Sequence, residues 1–192
     1  DQTFEGMAGN DNISGGAGND TVSYSSSLSA VTVTLSGGSG SVTDHWGGTD
    51  SLLEIENITG SQFGDTLAGD ELNNVIRGLG GNDAINGGSG TNTAAYGDVK
   101  AGYTVTDQGG GVWTVTDINT GNGDEGTDTL TNIQQLAFFD QTQNIAGPQT
   151  FNWSALTNGA TLDFNPAADT LVFDDAGISA SERGFTWTGD LV

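Results

Sequence analysis

A nine-residue period constrains this chain more than anything else in it. From Gly60 to Tyr96 the sequence reads GSQFGDTLA, GDELNNVIR, GLGGNDAIN and GGSGTNTAAY. Gly60, Gly69, Gly78 and Gly87 open the units; Asp65, Asn74, Asp83 and Asn92 stand sixth; Leu67, Ile76, Ile85 and Ala94 stand eighth. The register recurs in GMAGNDNIS from Gly6 and GGAGNDTVS from Gly15, where Asp11 and Asp20 are sixth and Ile13 and Val22 eighth. Phe4 falls on an eighth position, so Asp1–Glu5 reads as the tail of a further unit.

One apolar residue in nine cannot close a core by itself. It is buried only if successive units stack, as in a solenoid. Glycines at the first, second and fourth places permit left-handed backbone or close approach. The β-branched tails, such as Asp20-Thr21-Val22-Ser23, suit strands of a few residues. Turn and strand in alternation predict an all-β fold, a parallel β-roll or β-solenoid, with eighth positions stacked inward and turns stacked in outer rows. If two units make one coil, Asp65 and Asp83 share an edge, and Asn74 and Asn92 share the opposite one. Carboxylates stacked in this way repel unless a cation lies between them. Carboxylate and carbonyl oxygens suit calcium, which accepts six to eight oxygens in flexible geometry.

GMAGNDNIS, GGAGNDTVS and GLGGNDAIN closely resemble the repeats-in-toxin (hemolysin-type) nonapeptide GGxGxDxUx. The resemblance covers residues 1–22 and 60–96. It implies a parallel β-roll whose six-residue turns bind calcium, each ion shared by two turns stacked on one edge. Carried onto this chain, it implies ligands at Asp11, Asp20, Asp65 and Asp83, with turn carbonyls at Gly6, Ala8, Gly16, Gly18, Gly78 and Gly80. Asn10, Asn19 and Asn82 match the fifth position. The departures are Asn74 and Asn92 in place of Asp, and the units from Gly60 and Gly69, which lack the second and fourth glycines. The strongest site is therefore expected between Gly60–Asp65 and Gly78–Asp83, and a weak or empty row on the Asn edge. The resemblance further implies type I secretion and folding on meeting extracellular calcium, so a secreted or cell-surface location.

Charge narrows the partners. The formal net charge is −22, and Arg77, Lys100 and Arg183 are the only basic side chains. That inventory excludes a basic nucleic-acid face, and an anionic membrane surface would repel the chain. No membrane-spanning apolar run occurs, so no membrane insertion is expected. Cysteine is absent, and a structural metal is another way to staple a thin core.

Residues 24–59 interrupt the repeats. Ala30–Leu35 alternates, placing Val31, Val33 and Leu35 on one strand face; Gly37–Gly40 reads as a loop. Gly48-Thr-Asp-Ser-Leu-Leu-Glu-Ile then returns the chain to the solenoid. The plan recurs: Tyr103–Asp107 and Val112–Asp117 form a strand pair around Gln108–Gly111, and Gly126-Thr-Asp-Thr-Leu-Thr-Asn-Ile is a second return. Asp50 aligns with Asp128, Leu52 with Leu130, Ile55 with Ile133 and Ile58 with Leu136. The expected organisation is a calcium-binding roll over 1–96 with a strand insertion at 24–59, a continuation as wider coils over 97–147, and a partial β segment over 148–192. Both ends read as cut from a longer protein.

Catalytic signals are thin. His45, beside Asp44, is the sole histidine, so neither a zinc site nor a proton relay can be completed around it. Asp124, Glu125 and Asp128 read either as a second kind of calcium site or as a solvated acidic turn. The leading reading is a calcium-dependent folding and stability module. Two others stay open: a glycan- or subunit-binding surface module using Trp46, Trp113, Trp153 or Trp187 as stacking platforms, and a β-solenoid polysaccharide lyase or epimerase with paired carboxylates.

Overall fold

The computed structural model describes residues 1–37, 39–44 and 47–145, with the backbone of Thr150–Asn152 and Thr170–Val172. The chain divides into two compact units, Asp1–Ala146 and Gly147–Val192.

The first unit is all-β. Its strands are β1 Thr3–Phe4, β2 Asn12–Ser14, β3 Thr21–Ser23, β4 Thr32–Ser36, β5 Ser39–Thr43, β6 Thr49–Leu53, β7 Asn57–Thr59, β8 Thr66–Ala68, β9 Val75–Arg77, β10 Ala84–Asn86, β11 Thr93–Ala95, β12 Tyr103–Gly109, β13 Val112–Asp117, β14 Thr127–Thr131, β15 Gln135–Ala137 and β16 Thr142–Asn144. Each repeat unit contributes a three-residue strand whose middle residue, the eighth of the unit, is buried. The chain alternates between two sheets: one runs β1-β3-β7-β9-β11-β15-β16, the other β12-β13-β14-β10-β8-β4-β5-β6-β2.

Two nonapeptides make one coil. Ile85 pairs with Leu67, and Ala94 with Ile76, eighteen residues apart in each case. The two columns of eighth-position residues meet between the sheets, where Val22, Leu67, Ile76 and Ala94 are fully buried. Val33 and Leu35 of β4 join them, with Val31 just before that strand. Phe4 packs partly buried against the same core.

The excursions depart from pure parallel coiling. The expected wider coils are antiparallel hairpins set into the second sheet: β4 pairs with β5 and β5 with β6, and likewise β12 with β13 and β13 with β14. Residues 39–40, expected within a loop, open strand β5, which the Ser- and Gly-rich sequence did not signal. The last strand of each excursion is the aligned return. It docks in parallel, β6 on β2 and β14 on β10, so Leu52 and Leu130 take the places of eighth-position residues and are buried. The sheets are therefore mixed, with a β-roll at the repeats.

In the second unit, Thr150–Asn152 (β17) and Thr170–Val172 (β18) pair in parallel. The strand expected over Ala160–Phe164 lies outside the described residues. Among those residues, no helix is long and apolar enough to cross a membrane.

Candidate metal centre

Each six-residue turn is bound to the next by its own backbone and by its sixth side chain. On one edge, Asp65 N–H donates to Asp83 Oδ1 at 2.7 Å, and Asp83 N–H donates to Asp128 Oδ1 at 2.9 Å. Val31 N–H donates to Asp65 Oδ1, and Asp11 N–H to Asp50 Oδ1. On the opposite edge, Asn74 N–H donates to Asn92 Oδ1, and Asp20 N–H to Glu56 Oε2. Asp65 and Asp83 thus share one edge, and Asn74 and Asn92 the other.

Asn10 Oδ1 accepts from Thr49 N–H, and Asn82 Oδ1 from Thr127 N–H, at 2.9 and 2.8 Å. These fifth-position side chains latch one turn to the next with the oxygen that a ligand would offer. Asn19 is exposed, and its N–H donates to Asp1 Oδ1.

The carboxylates of Asp20, Asp65 and Asp83 fold over the glycine that opens their own unit, whereas Gly6 is covered by Asp50 of the first return. A Cβ on Gly60 would strike Asp65 Oδ2 and lie 2.7 Å from Gly78 O, and one on Gly78 would strike Asp83 Oδ2. The leading glycine is required because the carboxylate occupies that volume. The same geometry puts Asp65 Oδ2 and the Gly78 carbonyl in one gap between stacked turns. Gly6, Gly78 and Gly80 are buried, while Ala8 and Gly18 face outward.

Burial makes Asp65, Asp83 and Asp128 expensive to ionise. Asp20, Asp65 and Asp83 are at most 2% exposed, as are Asp50 and Asp128 in the returns. Burial raises the Asp65 carboxyl above its ordinary range. It pushes Asp83 up to about 7, with the Asp65 charge adding to it. Asp128 is pushed up to about 8 by burial, with the Asp83 charge adding.

Oxygen by oxygen, the carboxylates differ. Asp65 is satisfied: Oδ2 accepts from Ser61 N–H at 2.5 Å, and Oδ1 from Ser61 Oγ and Val31 N–H. Ser61 stands where the repeat has its second glycine, and its hydroxyl supplies the added donor. Asp11 Oδ2, Asp20 Oδ2 and Asp83 Oδ2 are buried and meet no donor among the described residues. An orphaned anionic oxygen is what a hard cation satisfies, and the side chains at these turns offer it oxygen. Among the described residues, no three acidic or histidine side chains converge as a metal cluster, so any ion held here draws largely on turn carbonyls.

Residues 1–26 and 59–94 match the RTX calcium-binding nonapeptide repeat, in four copies. These turns are similar to RTX repeats. Repeats of this family bind calcium, and the stacked RTX turns place their sixth-position acids and carbonyls as an oxygen-only site requires. The match covers about a third of the chain and leaves out both returns. No curated protein matches the chain.

The returns are what motif reading missed. Gly48-Thr-Asp50 and Gly126-Thr-Asp128 reproduce places four to six of an RTX turn, and both aspartates continue the ladder. Each also sits under a tyrosine that closes a repeat block. Tyr24 Oη donates to Asp50 Oδ2 at 2.9 Å, and burial with that bond holds the phenol well above its usual range. Tyr96 is raised too, by burial and then by the Asp128 charge, without a hydrogen bond of regular geometry. The sequence signal was the alignment of Asp50 with Asp128.

The acidic run Asp124-Glu125-Asp128 does not converge. Asp124 Oδ1 accepts from Gly126 N–H, Glu125 accepts from Gly97 N–H and Tyr103 Oη, and Asp128 belongs to the ladder. Arg77 stands 3.8 Å from Glu125. Trp113 packs partly buried against the core. His45, Trp46, Trp153 and Trp187 lie outside the described residues.

Proposed function

We propose that residues 1–146 form a calcium-folded stability module of a secreted or cell-surface bacterial protein. The observation that carries this reading is the set of buried, unpartnered oxygens on Asp11, Asp20 and Asp83. The proposed ligands are these three carboxylates, Asp65 through the oxygen it shares with the Gly78 gap, and carbonyls of Gly6, Ala8, Gly16, Gly18, Gly78 and Gly80. Asn10 and Asn82 serve as turn latches beside them, and Asn19 holds the fifth position of the Gly15 turn. Bound calcium supplies the positive charge that lets stacked carboxylates stay ionised inside the fold. The chain's own part is to hold the oxygens in register through the carboxylate-to-amide ladder.

Metal-free, the row of like charges opposes a core of one apolar residue per unit, and ligation reverses that balance. A site at a hundredfold excess over its Kd adds about 2.7 kcal/mol. Neighbouring ions share ligand-bearing turns, so binding is cooperative. RTX repeat regions are generally structural, and the enclosed carboxylates suit that role. Export follows from the same reading, since a chain unfolded without calcium folds once outside the cell.

Far-UV circular dichroism of the full chain, chelated and then titrated with calcium, tests this, with magnesium as the control. A cooperative gain of β signal with calcium alone is expected. A chain fully folded in chelator and indifferent to calcium would remove the reading.

A further inference from the structure

A cavity of about 240 Å³ opens where the turn that begins at Gly78 meets the residues after the second repeat block and the acidic run before β14. Arg77, Leu79, Gly97, Tyr103, Asp124 and Glu125 line it. Arg77 is the last residue of β9 and Tyr103 the first of β12, so two strands fix opposite walls. Sites for drug-sized ligands run to about 300–1,000 Å³. This one has room for a single small ring and not for a run of them. The Arg77 side chain is 43% exposed, so the cavity reaches solvent at that wall.

The cavity contains donors and acceptors that do not satisfy one another. Arg77 Nε is buried and meets no acceptor among the described residues. Its Nη2 stands 3.8 Å from Glu125 Oε1, an ion pair too long for a hydrogen bond. Glu125 is held away by other donors: Gly97 N–H at 3.2 Å and the Tyr103 hydroxyl. Tyr103 Oη accepts in turn from Asp98 N–H at 3.0 Å. Gly97 keeps the space between them open. A Cβ there would stand 2.6 Å from Arg77 Nη2 and 3.0 Å from Glu125 Oε1. Its backbone is not left-handed, so the missing side chain serves space and not conformation. Leu79 presents the reverse case. It stands at the second place of the repeat, where glycine is usual, and keeps left-handed backbone at φ 78°. A leucine is strained there, and its side chain gives the cavity an apolar wall.

We propose that this cavity binds one neutral sugar residue at the end of a glycan. Arg77 donates to sugar oxygens, and Glu125 and Asp124 accept from sugar hydroxyls. Charge selects this class. Asp98, Asp124 and Glu125 outnumber Arg77 around the cavity, so an anion is repelled. An ammonium group would be repelled by Arg77 and would leave its N–H groups unpaired. A hydroxyl both donates and accepts, so neighbouring hydroxyls on one ring can bridge the guanidinium and the carboxylates that do not reach each other. Leu79 meets the C–H face of the ring. The rest of the glycan stays outside, on the solvent side. None of the lining side chains is a proposed calcium ligand, so this assignment and the calcium reading stand or fall separately.

Amide NMR spectra of the full chain in calcium, titrated with methyl α-glucoside, methyl α-galactoside and methyl α-mannoside, test the assignment. Saturable shifts centred on Gly80, Gly97, Asp124 and Glu125 are expected with at least one of the three. Arg77→Leu is expected to weaken that binding about tenfold or more, with the far-UV circular dichroism of the unmodified chain. Gly97→Val keeps Arg77 and fills the space, and is expected to abolish binding. Absence of shifts at these amides with all three glycosides overturns the proposal. So does unchanged affinity in either variant, and if one variant does not fold the other decides. Tighter binding of methyl glucuronide, the anionic counterpart, than of methyl α-glucoside overturns the assignment to a neutral sugar.

Discussion

At the sixth position of each unit, Asp and Asn present the same shape and opposite needs. Asn92 brings a donor into the gap and leaves its carbonyl neighbours satisfied, whereas Asp83 leaves Oδ2 bare. The two residues therefore contribute to stability under different conditions. Asn92→Ala strands buried carbonyls, a loss of about 1–3 kcal/mol that is the same with or without calcium. Asp83→Ala strands the buried Asp65 N–H, a loss of the same order, but it also removes a buried charge, so it alone lowers the increment that calcium adds. Thermal unfolding of both variants in chelator and in calcium checks this; equal calcium increments in the two would refute the ligand role of Asp83. Asp65 shows why residue type alone does not rank the sites. Its position matches the repeat, yet Ser61 has already satisfied both of its oxygens.

At the scale of the turn, stacking depends on the fourth-position Gly81, which lies against the backbone of Phe63 and Gly64 in the preceding coil. Gly81 has φ +102°, and a Cβ there would stand 2.5 Å from Gly64 N and Phe63 C. These are backbone atoms fixed by the ladder, so they cannot yield. Gly111, in the tip between β12 and β13, is also left-handed at φ +79° but has open space around it. Gly111→Ala therefore carries only the conformational cost, about 1–2 kcal/mol. Gly81→Ala adds a backbone collision of about 1–3 kcal/mol on top and is expected to weaken calcium-induced folding as well. Denaturant titration of the two variants compares them directly, and a Gly81→Ala chain no less stable than Gly111→Ala would contradict the stacking argument.

Across the whole molecule, burial of one row of acids ties the metal-free fold to pH. Asp65 is raised, Asp83 reaches about 7 and Asp128 about 8, against about 4 in an unfolded chain. The folded form therefore holds protons that the unfolded form releases. That contribution is fully present below about pH 4 and is lost as pH rises through 7 to 8. In chelator, β signal is expected to be greater at pH 5 than at pH 8, and calcium at pH 8 is expected to restore it. A metal-free β signal that grows with pH would contradict burial of the acidic row. The net charge of −22 works in the same direction, since protonation relieves self-repulsion.

Much of this was legible in the residues because the repeat is local. A nine-residue period sets where the glycine, the acid and the apolar residue fall, and the eighth positions from Ile13 to Ala94 are buried as their spacing requires. Strand length, the eighteen-residue coil and the two opposite edges follow from the same period. Three things depended on contacts distant in sequence. The first excursion closes as antiparallel hairpins, because Ser39–Thr43 finds partners on both sides despite weak strand propensity of its own. The returns extend the acid ladder, because docking β6 on β2 and β14 on β10 brings Asp50 and Asp128 into register with repeat turns. Which carboxylate oxygens are left bare was decided by neighbours supplied from elsewhere, Ser61 and Val31 for Asp65 and only acceptors for Asp20 Oδ2. A one-dimensional period specifies which chemical groups face a gap; three-dimensional stacking decides whether each group there meets a donor or another acceptor.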